Sequence, residues 1–200
     1  MTTTRNRRLA AIIVLLASTF TLGLVLSACG RAASAAQGPL PKTSMTLTIL
    51  DQAPNGSAGP LFDNTNIVLP AHTLVTMTII NKDPGEDALP AGSPFGAVKG
   101  TTDGAGKASN TAYLSGHAYT ALALDKMSHT FTVPQLGINV PIPGTPAAGQ
   151  KEIAVTFSFV TGGAGKYTFQ CVVPCGGDPN GFGGPMAMKG FMMGTLTVQG

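Results

Sequence analysis

The sequence feature that most constrains the fold is a sulfur-rich loop between two strand-like runs, in residues 167–198. The first run, Tyr167 to Cys171, alternates aromatic and polar residues, and a second cysteine, Cys175, follows in the loop. Alternation with a period of two predicts strands. Because soft metals such as Cu(I) prefer thiolate and thioether sulfur, this unit predicts a copper site. The loop leads into the second run through a group of four methionines: Met186, Met188, Met192 and Met193.

Runs of the same kind occur through the rest of the chain. Residues 45–50, 74–80 and 151–159 alternate between apolar and polar side chains, and residues 81–85 carry a strong turn signal. The chain has 26 glycines and 15 prolines, and 44% of its residues are hydrophobic. Many turns between short apolar runs predict one all-β domain, and the hydrophobic content argues against disorder.

Charge and motif content exclude two broad function classes. Charged residues make up 10% of the chain and the net charge is +3, without the basic stripe that a nucleic-acid binder needs. The sequence contains no G-x-S-x-G, H-E-x-x-H or P-loop motif. The nine acidic residues show no recognisable pairing in sequence with His129. We therefore predict that the protein binds no nucleic acid and is not an enzyme.

The N-terminal residues resemble a bacterial lipoprotein signal. Arginines at positions 5, 7 and 8 precede an apolar stretch from Leu9 to Leu26, and a short box, Leu26-Ser27-Ala28-Cys29, follows. The resemblance implies cleavage before Cys29, lipid attachment to Cys29 and an extracytoplasmic domain anchored to the cell membrane. The alternative is a plain transmembrane anchor, because about 18 apolar residues nearly span a bilayer.

This interpretation divides the chain into three parts. Residues 1–28 are the signal peptide, residues 29–43 are a flexible tether rich in small residues, and residues 44–200 are the domain. Residues 85–110 are poor in large apolar side chains, which predicts a long surface insertion that extends over about residues 85–126. Within it, residues 111–126 are compatible with a short helix or an irregular strand.

Cysteine usage leaves two readings of the loop. If Cys29 carries lipid, Cys171 and Cys175 remain, in a compartment that permits disulfides. The two cysteines then either both bind metal or form a disulfide that closes a small loop.

A stretch upstream of the loop resembles a known copper protein. Residues 129–144, HTFTVPQLGINVPIPG, are similar to the part of cytochrome c oxidase subunit II that carries the first histidine of its binuclear copper (CuA) site. The resemblance implies that His129 is the nitrogen ligand of a copper site. Asn139 stands where that family usually has lysine.

The loop itself resembles the ligand loop of azurin, plastocyanin and CuA domains. That loop follows the pattern Y-x-F-x-C and ends with M-x-G-x-L-x-V, which here begins at Met192. The spacing of Cys171 and Cys175 is similar to that of the two bridging cysteines of CuA. The resemblance implies a cupredoxin-like Greek-key β-sandwich, with Cys171 and Cys175 as thiolate ligands, His129 as the nitrogen ligand and Met192 as a weak axial ligand.

The loop departs from these families at one position. They place a second histidine a few residues before the axial methionine, and this chain has no histidine after His129. The expected position falls on Met188 or Lys189. Three outcomes follow: Met188 or Met186 replaces the imidazole and favours Cu(I), a partner or solvent completes the site, or no copper binds.

Three function hypotheses remain open from the sequence. The first is an extracytoplasmic, lipid-anchored copper protein that transfers electrons to or from a respiratory complex. The second is a protein that binds Cu(I) and delivers it to a copper-handling partner, which the excess of sulfur favours. The third is a metal-free β-sandwich with a Cys171–Cys175 disulfide.

Overall fold

The strands of the domain form two sheets. The computed structural model describes residues 38–52, 58–145, 152–174, 186 and 188–200. Within these residues there are eleven strands and no α-helix, which confirms the all-β prediction. The strands are β1 (Lys42–Gln52), β2 (Ala58–Phe62), β3 (Asn66–Pro70), β4 (Leu74–Asn81), β5 (Ala112–Leu114), β6 (His117–Tyr119), β7 (His129–Val133), β8 (Ile138–Ile142), β9 (Ile153–Val160), β10 (Gly165–Gln170) and β11 (Met193–Gln199).

The strand order is that of a sandwich. In the described residues, one sheet has the order β2-β1-β4-β9-β5-β6 and the other has the order β3-β11-β10-β7-β8. The pairs β1–β4 and β3–β11 are parallel, and the other ladders are antiparallel. The chain passes from one sheet to the other between β2 and β3, and again between later strands. These crossings confirm the predicted Greek-key β-sandwich.

The core forms where the inward faces of the two sheets meet. In β9 buried residues alternate with partly exposed ones, as the sequence pattern predicts, because one face of the strand packs on the opposite sheet. Every residue of β7 and of β8 is buried. Five phenylalanines lie at the centre of the core with at most 1% of their surface exposed: Phe62, Phe131, Phe157, Phe159 and Phe169.

Residues 85–126 contribute to the six-stranded sheet and to the core. The part for which the sequence allowed a helix or an irregular strand forms the β5–β6 hairpin, and β5 pairs with β9. Leu89, Val98 and Ala112 are buried with the core. The segment therefore adds two strands to the six-stranded sheet and several side chains to the core.

The N-terminal predictions lie outside the described residues. These are the signal peptide, the lipid on Cys29 and the part of the tether before residue 38. Strand β1 begins at Lys42, two residues before the predicted start of the domain. Among the described residues, no helix combines the length and the apolar character needed to cross a membrane.

Candidate metal centre

His129 and Cys171 meet inside the five-stranded sheet. His129 opens β7 and is fully buried, and Cys171 follows the last residue of β10 and is 3% exposed. The Nδ1 atom of His129 lies 3.9 Å from the Sγ atom of Cys171. An ion bound at about 2.3 Å from sulfur and about 2.0 Å from nitrogen separates two such ligands by roughly 3.5 to 3.8 Å. The distance between Nδ1 and Sγ is therefore close to the distance expected between two ligands of one metal ion.

Strand pairing brings Met192 to the same place. In the β10–β11 ladder Gln170 is opposite Met193, and the backbone N–H of Cys171 donates to the carbonyl of Met192 at 2.9 Å. Cys171 and Met192 are therefore opposite each other, where Cβ atoms are about 4.5 to 5.5 Å apart and point to the same face. Met192 is fully buried in the core cluster that contains Cys171.

The other predicted ligands are placed differently. Met188 is half exposed, and its carbonyl accepts a hydrogen bond from the N–H of Phe191 at 3.2 Å. Met186 is buried in the core. Cys175 lies outside the described residues, so its role as a ligand and its disulfide with Cys171 stay predictions. The structure thus brings together His129, Cys171 and Met192.

The backbone also holds the Cys171 sulfur. The N–H of Thr130, next to His129, donates to Cys171 Sγ at 3.3 Å. A hydrogen bond to a ligand sulfur withdraws electron density from it and so tunes a copper site. Two adjacent residues of β7 therefore build this part of the site: His129 supplies the imidazole, and the N–H of Thr130 holds the sulfur of Cys171.

The hydroxyl groups of β7 continue this network. The N–H of Val172 donates to Thr130 Oγ1 at 2.9 Å, and Thr130 Oγ1 lies 2.9 Å from Thr132 Oγ1. The Thr132 hydroxyl is 2.8 Å from Asn139 Oδ1, and the Asn139 amide donates to two carbonyls of the turn at 95–97. Asn139 therefore links the residues after β10 to that turn.

A carboxylate that the sequence did not indicate lies on the far side of the histidine ring. Asp83 Oδ2 is 3.0 Å from His129 Nε2, and its Oδ1 accepts the N–H of Gly85 at 2.8 Å. Burial opposes ionisation of Asp83, but the hydrogen bonds from His129 and Gly85 hold its pKa below the usual value. Burial likewise opposes a charged His129, but Asp83 and then Cys171 raise its pKa to about 9. In the metal-free protein the ring is thus protonated at neutral pH.

Asn81 fixes the turn that carries this carboxylate. Asn81 ends β4 and is fully buried. Its Oδ1 accepts the N–H of Asp83 at 3.0 Å, and its amide donates to the carbonyls of Asp83 at 3.1 Å and Pro143 at 2.9 Å. The sequence signal for this turn was present at 81–85, but it gave no link to His129. A buried side-chain amide that serves several backbone groups makes the turn rigid.

Replacing Asn81 by alanine is expected to lower the free energy of unfolding by about 3 kcal/mol, because buried backbone groups lose their partners at roughly 1 to 3 kcal/mol each. Urea unfolding of the metal-free protein measures this change. Asn64→Ala is the matched control, since Asn64 Oδ1 accepts one exposed N–H, from Asn66 at 2.9 Å. The control should lose less than about 1 kcal/mol. Equal losses in both variants would refute the role given to Asn81.

The chemistry of the donor set fits copper. Among the described residues, no three His, Cys, Asp or Glu side chains are grouped so that they could hold a metal ion. A site at His129 and Cys171 therefore needs the thioether of Met192 or a donor outside the described residues. One thiolate, one imidazole and one thioether are a soft set that suits copper. His72 and His117 are exposed and take no part in this cluster.

The described strands form an all-β Greek-key sandwich, and the side chains of His129, Cys171 and Met192 are buried in its interior. Similar solved structures include auracyanin B, at 13% identity over 82% of this chain and 93% of that chain, with a TM-score of 0.35. His143Met rusticyanin is 17% identical over 82% of this chain and 80% of that chain, also with a TM-score of 0.35. Rusticyanin from Thiobacillus ferrooxidans is 14% identical over 82% and 79%, with a TM-score of 0.35. No protein-family model and no curated protein sequence matches the chain.

Proposed function

We propose that this chain is a copper-binding electron-transfer protein with Cys171, His129 and Met192 as its ligands. The observation that carries the proposal is the 3.9 Å separation of Cys171 Sγ and His129 Nδ1 in the interior, with Met192 opposite Cys171. Bound copper would supply a one-electron couple.

The surroundings of these ligands suit electron transfer. His129 and Met192 have no exposed surface, and the sulfur of Cys171 accepts a hydrogen bond from the N–H of Thr130. Ligands held by strand pairing and hydrogen bonds shift little when the charge of the metal changes, which keeps the cost of reorganisation small. Burial also keeps bulk water away from the sulfur and the imidazole.

The finer parts of the proposal concern the loop and the location. Cys175 would add a second thiolate and allow a binuclear site similar to CuA. Lipid on Cys29 would hold the domain outside the cytoplasmic membrane, next to a respiratory or copper-handling partner. These parts rest on the sequence resemblances.

A second function, binding and delivery of Cu(I), is favoured by one observation. Met188 is one of the two residues, with Lys189, at which the loops that this one resembles have a histidine, and its side chain is half exposed. A thioether at this position prefers Cu(I) to Cu(II) and could pass the ion to a partner. Both functions use His129 and Cys171. They differ in the oxidation states of copper that the protein binds: a carrier binds both Cu(I) and Cu(II), and a delivery protein binds Cu(I).

Metal titration of the purified, reduced full-length chain tests these proposals. An electron carrier should bind Cu(II) with an intense thiolate-to-copper absorption that disappears on reduction and returns on oxidation. A delivery protein should bind Cu(I) tightly and show no such band with Cu(II). Mass spectrometry of the chain as purified, before any reduction, tests for the disulfide. A mass two protons below that of the reduced chain, with no retained copper, would refute both functions in favour of a Cys171–Cys175 disulfide.

A further inference from the structure

We propose that Asp83 is a positioning residue for the copper site: it fixes the ring of His129 so that Nδ1 faces Cys171, and its partly shielded negative charge favours Cu(II) over Cu(I). The inference rests on the proposed function, because it assigns a role toward the copper ion. It starts from the contact between Asp83 and His129, which joins the turn after β4 to the first residue of β7.

The carboxylate of Asp83 has little freedom to move away from the ring of His129. The side chain of Asp83 is 13% exposed, and the ring that it contacts has no exposed surface. One carboxylate oxygen accepts the N–H of Gly85 at 2.8 Å while the other faces His129 Nε2 at 3.0 Å. The backbone N–H of Asp83 is in turn held by Asn81 Oδ1 at 3.0 Å. The position of the carboxylate is therefore fixed by contacts of both its oxygens and of its own backbone.

This arrangement decides which ring nitrogen is available to a metal ion. A carboxylate accepts hydrogen bonds and so keeps the hydrogen on Nε2. The other nitrogen, Nδ1, is the one that faces Cys171 Sγ, and an ion bound at the sulfur would displace its hydrogen. Metal-binding histidines generally use their second nitrogen in this way, which fixes the tautomer and strengthens the ligand.

The charge of Asp83 also acts on the redox couple. A buried negative charge near the ring stabilises the more positive state of the ion, because charges interact strongly where water is excluded. The thiolate of Cys171 and the carboxylate of Asp83 together balance the charge of Cu(II). They leave one excess negative charge with Cu(I), so removing the carboxylate charge should make the oxidised state less stable.

Asp83→Asn is the variant that separates these effects from the packing of the turn. The amide oxygen of asparagine can still accept the N–H of Gly85, but its NH₂ group then faces the Nε2–H of His129, donor against donor. Asp103→Asn is the matched control, since Asp103 Oδ1 also accepts backbone N–H groups in a turn, from Ala105 and Lys107 at 2.9 Å each. Asp103 is exposed, and it lies far from His129, Cys171 and Met192 in the sequence.

The full-length chain and both variants are compared by copper titration, redox potentiometry and NMR of the ¹⁵N-labelled imidazole in the metal-free state. We expect Asp83→Asn to weaken Cu(II) binding about 10- to 100-fold, the usual cost of losing an outer-shell partner. Cu(I) binding should change less, so the reduction potential should rise, by about 59 mV for each tenfold change in the affinity ratio. Asp103→Asn should match the unmodified chain in all three measurements.

Two results would overturn the inference. A copper-loaded Asp83→Asn variant with the potential and affinities of the unmodified chain would show that the carboxylate does not act on the site. A slowly exchanging Nε2–H signal of His129 that persists in the variant would show that Asp83 does not hold the ring. If the unmodified chain binds no copper, the proposed function and the charge effect both fail, and the NMR signal still decides whether Asp83 positions His129. Should Asp83→Asn not fold, Asp83→Glu should keep the reduction potential of the unmodified chain, because the charge remains, while weakening copper binding.

Discussion

Replacing Cys171 by serine is expected to abolish the thiolate-to-Cu(II) absorption and to weaken copper binding by more than 100-fold. Loss of a direct ligand should exceed the roughly 10- to 100-fold cost of losing an outer-shell partner. Cys171 is the thiolate that lies against His129, and a serine hydroxyl is a hard, protonated donor that copper binds poorly. Copper titration followed by absorption spectroscopy measures both effects.

Cys175→Ser is the paired variant, because it decides how many cysteines the site uses. In a site built on Cys171 alone, the variant keeps one copper per chain and the absorption band. In a CuA-like site, it loses the binuclear spectrum and part of its copper. A Cys171→Ser variant that retains copper with an unchanged band would show that this sulfur is not a ligand and would refute the proposed site.

The parts of the site that the sequence predicted are those that depend on local pattern. Motifs within single strand–loop units predict His129 and Cys171, and the M-x-G-x-L-x-V pattern predicts Met192, which directly precedes β11. Because Gln170 pairs with Met193, Met192 lies opposite Cys171. Both residues belong to one strand–loop–strand unit, so a local pattern is enough to predict that they lie close together. The surface position of Met188 has no such local origin, because it depends on the path of the loop.

The contact between Asp83 and His129 could not be predicted for a different reason. The turn signal at 81–85 was clear, but the turn ends β4 in one sheet and His129 opens β7 in the other. The distance between them depends on how the two sheets pack and on the hydrogen bonds of Asn81 to Pro143. The position of the β5–β6 hairpin could not be predicted for a similar reason, since β5 pairs with β9, which lies far away in the sequence.

Phe131 connects the stability of the fold to the site. Its ring lies on β7 two residues after His129 and on the same inward face, and it has no exposed surface. The ring centroid is 5.4 Å from that of Phe169 in the same sheet, and 5.8 Å from Phe157 and 6.4 Å from Phe62 in the opposite sheet. The side chain therefore joins the two sheets next to the proposed ligands.

Phe131→Ala is expected to lower the free energy of unfolding by about 3 to 5 kcal/mol, because it removes transfer free energy and leaves a cavity between the two sheets. Urea unfolding of the metal-free protein measures the loss. Phe131→Leu should lose less, since it fills most of the same space, and Tyr113→Ala, at a side chain that is 46% exposed, should stay within about 0.5 kcal/mol of the unmodified protein. If Phe131→Ala loses no more than Tyr113→Ala, the aromatic cluster does not hold the sheets together. If it unfolds as expected, its copper band should also broaden below the unfolding transition, because β7 then positions His129 less tightly against Cys171.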